Sequence, residues 1–290
     1  MAEFLQFLIA GVTVGAIYGL VALGFTIIYN ASHAINFAQG EFVMIGGMAT
    51  VFIMAAGLPL LLAVPLAIVI AAAVGIALYK FAVAPVRAGG VVTMIIVTVG
   101  ASIFLRGLAS VVWDRNYHYM APFSGSEPIP IFGATITSQS LWVLGVTAAV
   151  ALGLLIFYRY TRTGKAMLAT AYNPDAAQLM GINVSTILMI SFGLAAALGA
   201  LGGILVTPIS STSFGVGVAL GLKGFAAAIV GGLSNSFAAL AGGLFVGIAE
   251  AMAAGYLSSA YKDAVAFVII LLVLFVRPQG LAGVRRAERV

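Results

Sequence analysis

The chain has 290 residues, 63% of them hydrophobic and only 7% charged, with a mean hydropathy of +1.18. Soluble domains carry about a quarter charged residues, so a water-soluble enzyme is excluded. The absence of cysteine excludes disulfides, iron–sulfur sites, thiol catalysis and Cys-ligated zinc, and the net charge of +5 sits beside apolar runs, where it reads as membrane topology rather than nucleic-acid binding.

Met1-Ala2-Glu3 lacks the positive n-region of a secretory signal, and the apolar run Phe4–Tyr29 is far longer than a signal core. As helix it would rise about 39 Å, enough to cross a hydrocarbon core of roughly 30 Å with some tilt. Further apolar segments follow at Phe42–Ala56, Leu58–Ala84, Val91–Trp113, Leu141–Tyr158, Ser185–Val206, Val218–Leu233, Phe237–Tyr256 and Ala264–Val276. That makes nine candidate spans. The second and seventh are short, and the seventh contains Lys223, so eight remains an alternative.

Basic residues favour nine. Lys80 and Arg87 follow span three, Arg159, Arg162 and Lys165 follow span five, and Arg277, Arg285, Arg286 and Arg289 follow the last. Loops rich in Lys and Arg stay in the cytoplasm. With nine spans these clusters share one side, the N-terminus is outside, and the C-terminus is cytoplasmic. With eight, one cluster is misplaced. The proline-bearing segment Asp114–Ser140 then lies outside.

Small residues recur every four positions: Gly11, Gly15 and Gly19 in span one, Ala195, Gly199 and Gly203 in span six, and Ala239, Gly243, Gly247, Ala251 and Gly255 in span eight. Such stripes let helix backbones approach in lipid. Packing within the chain is the first reading, and a subunit interface for one stripe is the second.

The two halves look alike. A glycine-rich span leads through Asn30-Ala31-Ser32-His33-Ala34-Ile35-Asn36 into Gly40-Glu41-Phe42 and Gly46-Gly47. Later, Gly193–Val206 leads through Thr207-Pro208-Ile209-Ser210-Ser211-Thr212-Ser213 into Gly224-Phe225 and Gly231-Gly232. Spans one to four and six to nine are therefore expected to be inverted copies linked by span five, an arrangement typical of transport proteins. Chance similarity among Gly/Ala-rich helices is the competing explanation.

No Walker A loop, zincin signature or nucleophile elbow is present, so the energy for active transport must come from a partner or an ion gradient. The intramembrane ionisable residues are Glu41, Arg106, Lys223 and Glu250, and burying such groups is costly enough to suggest a function. Glu41 opens span two, where a carboxylate suits a helix N-terminus. Arg106 is near enough to a helix end to snorkel. Lys223 opens span seven, the wrong end for a cation, and a pair with Glu250 is conceivable. Asn36 and Gln39 precede Glu41 and join these residues as candidates for the path or gate.

Between spans five and six, residues 159–184 form a cytoplasmic loop. Asn173 is expected to cap a short helix with Pro174 in its first position and Asp175 at its positive end, and Gly181 supplies a stop. Such an exposed helix is a ready contact for a soluble partner.

At this point the chain resembles a known family. Asn36-Phe37-Ala38-Gln39-Gly40-Glu41-Phe42, Arg162-Thr163-Gly164-Lys165, Gly221-Leu222-Lys223-Gly224-Phe225, Gly247-Ile248-Ala249-Glu250-Ala251, Tyr261-Lys262-Asp263 and Arg277-Pro278-Gln279-Gly280-Leu281 are similar to motifs of the LivH-type branched-chain amino acid ABC importer permeases. The resemblance runs over essentially the whole chain. It implies an all-α polytopic permease with a fold like that of ribose permeases and a single transmembrane domain: first repeat 1–113, linking span 141–158, coupling loop 159–184, second repeat 185–276 and cytoplasmic tail 277–290. It implies a LivM-like second permease (or a second copy of the chain), two ABC ATPase subunits and a periplasmic amino-acid-binding protein, in a bacterial inner membrane and with no nucleic acid. ATP and Mg would be bound by the ATPases, with no cofactor in this chain. Arg162, Gly164, Lys165, Asn173, Pro174, Ala176, Ala177 and Gly181 would belong to the coupling segment. A proton-driven carrier working through Glu250, or a passive channel for a small solute such as urea or an amide, are the rival readings.

Overall fold

The computed structural model describes residues 2–277 and 279–281. They form helices α1 Ala2–Ser32, α2 Gln39–Ala55, α3 Leu60–Ala77, α4 Gly90–Val112, α5 Ser138–Tyr160, α6 Arg162–Tyr172, α7 Pro174–Leu179, α8 Val184–Ser210, α9 Val216–Gly231, α10 Ser236–Tyr256 and α11 Lys262–Val276. Each apolar segment of the sequence is helical. Seven helical stretches among the described residues are long and apolar enough to cross a membrane, counting α3 with its continuation to Arg87 and α11 with the turn that begins at Ser259. The other two, α2 and α9, have 17 and 16 residues and rise only about 25 Å each.

Two expectations need correction, and the segment between α4 and α5 adds an element: Pro128–Ile131 (β1) and Ala134–Thr137 (β2) form an antiparallel ribbon with Ile131 opposite Ala134. Phe132 and Gly133, both at positive φ (47° and 85°), make its two-residue turn. A lone ribbon has two free edges, so Pro128 and Pro130 remove no needed ladder bond. The polar interruptions are shorter than expected. α1 continues through Asn30 to Ser32, and α8 continues through Pro208 to Ser210. Finally, Lys223 does not open its helix but lies two turns inside α9. Arg285, Arg286 and Arg289, and the Pro278 of the last motif, lie outside the described residues.

The core is built on α1 and α8, which pack against each other. α8 carries α2 and α3 on one flank, and α1 carries α9 and α10 on the other. α5 rests on α1 and α8, whereas α4 and α11 are peripheral and mostly exposed. The small-residue stripes are consumed by these contacts. A methyl group on Gly15 would stand 2.8 Å from the Gly243 carbonyl oxygen of α10, and one on Gly199 would stand 2.9 Å from Cβ of Phe42. Gly11 and Gly255 likewise face Ile248 and Phe7. Close approach replaces the hydrophobic drive that lipid cannot supply, and all three stripes serve the chain's own fold.

The bundle has two chemically different ends. At one, the Gln6 side-chain oxygen accepts from the Thr135 amide (2.8 Å), and His118 and Thr212 exchange backbone hydrogen bonds of 2.8 and 2.9 Å. At the other lie the α1 terminus, α6, the α9–α10 turn and the end of α11. The α3–α4 junction joins that end through a 3.0 Å hydrogen bond between the hydroxyls of Tyr79 and Ser185. Lys80, Arg87, Arg159, Arg162, Lys165 and Arg277 therefore share it.

Candidate functional site

The two short helices begin against each other inside the bundle. Neither has a side-chain N-cap: Ala38 precedes α2 and Gly215 precedes α9. A methyl group on Gly40 would stand 2.9 Å from the Gly221 Cα and collide with the Gly217 carbonyl oxygen. One on Gly217 would be 2.6 Å from the Gly40 carbonyl oxygen. Only glycine lets the two positive helix ends meet so closely.

Three of the residues expected at a path cluster on and just before this first turn of α2. Asn36, Gln39 and Glu41 are 2%, 0% and 1% exposed. The Asn36 side-chain oxygen accepts from the Ala38 amide (3.0 Å), and Gln39 Nε2 donates to the Ala195 carbonyl of α8 (2.9 Å). Glu41 Oε1 accepts from the Ser102 hydroxyl of α4 (2.7 Å), at the middle of that helix. Arg106, one turn further along α4, is close enough to act on Glu41 electrostatically. Asn36 Nδ2, Gln39 Oε1 and Glu41 Oε2 have no hydrogen-bond partner. Buried polar atoms are nearly always satisfied, and three of the five exceptions among the described residues gather here, the others being the Thr147 and Thr212 hydroxyls. The three do not share one direction: Gln39 reaches toward α1 and α8, whereas Glu41 Oε2 lies against the first turn of α9.

Lys223 and Glu250 are brought together by α9 and α10. The Lys223 ammonium is 2.8 Å from Glu250 Oε1 and 2.6 Å from Asp263 at the head of α11. The Tyr18 hydroxyl of α1 donates to Glu250 Oε2 (2.9 Å), the Lys223 ammonium lies 5.5 Å from the Tyr18 ring centroid, and Lys262 reaches within 3.7 Å of Glu250. Two cations and two carboxylates thus balance. Sequence reasoning supplied the central pair and missed Tyr18, Lys262 and Asp263. The Tyr261-Lys262-Asp263 motif was the available signal, since two adjacent opposite charges at the head of an apolar helix need partners.

The segment between α5 and α8 is two helices. α6 was not foreseen: its N-cap is Thr161, whose hydroxyl accepts from the Gly164 amide (2.9 Å). α7 follows the expected chemistry. The Asn173 side chain accepts from the Ala176 amide (3.0 Å), Pro174 occupies the first position, and Gly181 takes φ +85°. Gly164 packs against Phe157 and Tyr158, and Ala177 is buried, so both shape the segment rather than present it. Arg162, Lys165 and Ala176 are exposed. So are three large side chains, Tyr172, Leu179 and Met180, at 87%, 90% and 84%. Leu179 ends the helix expected to meet the partner, whereas Tyr172 and Met180, on either side of that helix, were not expected to stand out.

The profile of the branched-chain amino acid transport system permease component family matches residues 7–274. The chain belongs to that family. It is 37% identical to the high-affinity branched-chain amino acid transport permease LivH of Escherichia coli, over 99% of this chain and 98% of that one. It is 32% identical to BraD of Pseudomonas aeruginosa, a permease of the same description, with the same coverage. A probable LivH of Methanocaldococcus jannaschii is 29% identical over 91% of this chain and 88% of its own.

In this permease several of the motifs singled out in the sequence fall on structural junctions. Asn36–Phe42 forms the α2 start, Gly221–Phe225 carries the glycine it meets, Glu250 and Tyr261–Asp263 complete the ion network, and Arg162–Lys165 opens α6. Among the described residues no group of three His, Asp or Glu side chains is placed to hold a metal ion.

Proposed function

We infer that this chain is the membrane-embedded permease subunit of an ATP-driven ABC importer for branched-chain amino acids, forming half of the translocation path. Near full-length similarity to LivH and BraD carries this reading. The basic end of the bundle is cytoplasmic by the positive-inside rule. The N-terminus and the β1–β2 ribbon are then outside, and the C-terminus is inside a bacterial inner membrane. All nine apolar helices count as passes, with α2 and α9 the short ones. Residues 1–113 and 185–276 form inverted repeats around the linking span 141–158. Exchanging α1–α4 for α8–α11 turns the contacts α2–α8, α3–α8, α2–α3 and α2–α4 into α9–α1, α10–α1, α9–α10 and α9–α11, all of which occur.

The loaded periplasmic binding protein docks on the outer side. Two ATPase subunits, which hold ATP and Mg, engage the coupling loop 159–184 from inside. Leu179 and Met180 enter the partner, Arg162, Lys165 and Ala176 flank them, and Gly164, Asn173, Pro174, Ala177 and Gly181 fix the shape. A LivM-like permease or a second copy completes the path within the lipid. Rocking of the two halves is transmitted to the α2–α9 junction, where Asn36, Gln39 and Glu41 gate the path, and to the Lys223–Glu250 cluster. Such a device need only bias two packed states. A proton carrier through Glu250 is disfavoured, because that carboxylate already holds Lys223 and Tyr18.

Uptake of labelled leucine into proteoliposomes holding the assembled transporter tests this. ATP-dependent, vanadate-sensitive accumulation supports the reading. Accumulation that needs no nucleotide and collapses with a protonophore refutes it.

A further inference from the structure

At the basic end the bundle is open. A cavity of about 890 Å³ lies between the ends of α1, α5 and α11, the α9–α10 turn and one face of α6. Part of its wall is apolar, with Ile27, Leu155, Phe225 and Ile229, while Asn30, Tyr158, Arg159 and Asn235 bring polar groups to it. Among the described residues no Asp or Glu lines it, and Arg159 and His33 are its basic side chains. The apolar wall with a donor-rich, positively biased rim matches an acyl chain attached to an anionic headgroup. On the orientation inferred above, the rim lies at the inner headgroup level, and basic pockets between spans on that side suit acidic lipids. A free amino acid fits less well, since its ammonium would meet no carboxylate of the described lining.

We propose that this cavity is a binding site for an acidic phospholipid of the inner leaflet, with Arg159 as the principal headgroup contact. Leu168 and Tyr172 of α6 also line the cavity, so the bound lipid fills the gap behind the coupling segment and braces it against the α9–α10 turn. The proposal rests on the cytoplasmic placement of Arg159.

The test uses the assembled transporter in nanodiscs of phosphatidylcholine, with and without phosphatidylglycerol, followed by extraction and native mass spectrometry. Phosphatidylglycerol retained in preference to phosphatidylcholine is expected. Arg159→Gln should weaken retention about tenfold, the worth of one charge-assisted contact. Ser234→Trp, at an exposed position on the cavity wall, should exclude the lipid without touching the charge. Equal retention of both lipids, unchanged retention in both variants, or displacement of the lipid by leucine would overturn the proposal. Labelling of Arg159→Cys from the outer side would instead overturn the orientation, a separate result from lipid loss with the orientation intact.

Discussion

Removing the ammonium of Lys223 should be among the most damaging single changes in the membrane-embedded part of the chain. Lys223→Met leaves Glu250, 2% exposed, with only the Tyr18 hydroxyl and a lysine 3.7 Å away. At 2.8 Å and an effective dielectric constant of about 20, the lost attraction is about 6 kcal/mol before desolvation is set against it. Breaking a buried pair by removing one partner typically costs about 3–5 kcal/mol, because the remaining charge stays buried. Replacing both, as in Lys223→Met with Glu250→Leu, should recover most of that loss, since an apolar pair of similar volume carries no desolvation penalty. Asp263→Asn should cost under about 1 kcal/mol, because that side chain is 73% exposed and its pair is solvent-screened. The assay is reversible unfolding of the purified transporter in mixed micelles of rising SDS content, with the parent, Lys223→Met, Glu250→Leu and the double variant as the corners of one double-mutant cycle and Asp263→Asn measured beside it. A single variant within about 1 kcal/mol of the parent, or a double variant no better than the single, would refute the reasoning.

Four other outcomes follow from the geometry. Gly40→Val should place a branched side chain against Gly217 and Gly221, costing about 1–3 kcal/mol and abolishing uptake; normal uptake by that variant would remove the α2–α9 junction from the mechanism. Leu179→Glu with Met180→Glu should leave folding within about 0.5 kcal/mol, as expected for exposed positions, yet lose the ATPases on co-purification, and unchanged co-purification would count against docking there. Asn173→Ala should remove about 1 kcal/mol of helix-end stability, seen as faster hydrogen exchange over residues 174–179. Between α4 and α5, the hydrogen bond from His118, helped by the Asn116 amide, holds the Asp114 carboxyl below its ordinary range. Its contribution is therefore present above the ordinary carboxylate pKa and is lost as pH falls through the depressed one. Limited proteolysis of residues 113–127 should accelerate only in that acid range; acceleration near neutral pH would contradict the assignment.

The features legible in sequence were those governed by local chemistry. Apolar run length gave every long helix, and the Asn173-Pro174 cap and Gly181 gave α7, because those residues act on neighbours a few positions away. Spacing also named the buried polar turn, since Asn36, Gln39 and Glu41 interrupt an apolar pattern. What stayed hidden depended on the third dimension. Tyr18 and Asp263 join Lys223 from helices far apart in the chain, and nothing in the spacing of Tyr18 distinguishes it from a lipid-facing aromatic. Ser102 looks like any hydroxyl that bonds its own helix until α4 is packed on α2. The meeting of Gly40 with Gly217 and Gly221 is likewise visible only after folding, although Gly40 and Gly217 are each the second residue of their helix. The helix α6 was passed over because its 11 residues are amphipathic and too short to stand out as an apolar run, and its start rests on a single hydroxyl, that of Thr161.

The central claim is that the permease receives its driving force through the α6–α7 segment on the inner face. A photo-crosslinking residue at position 179 of the assembled, transport-active complex tests it most directly. Irradiation should join this chain to an ATPase subunit, with a yield that changes on addition of nucleotide. Crosslinks to the binding protein instead, or no crosslink to the ATPase from a complex that still imports leucine, would contradict the account.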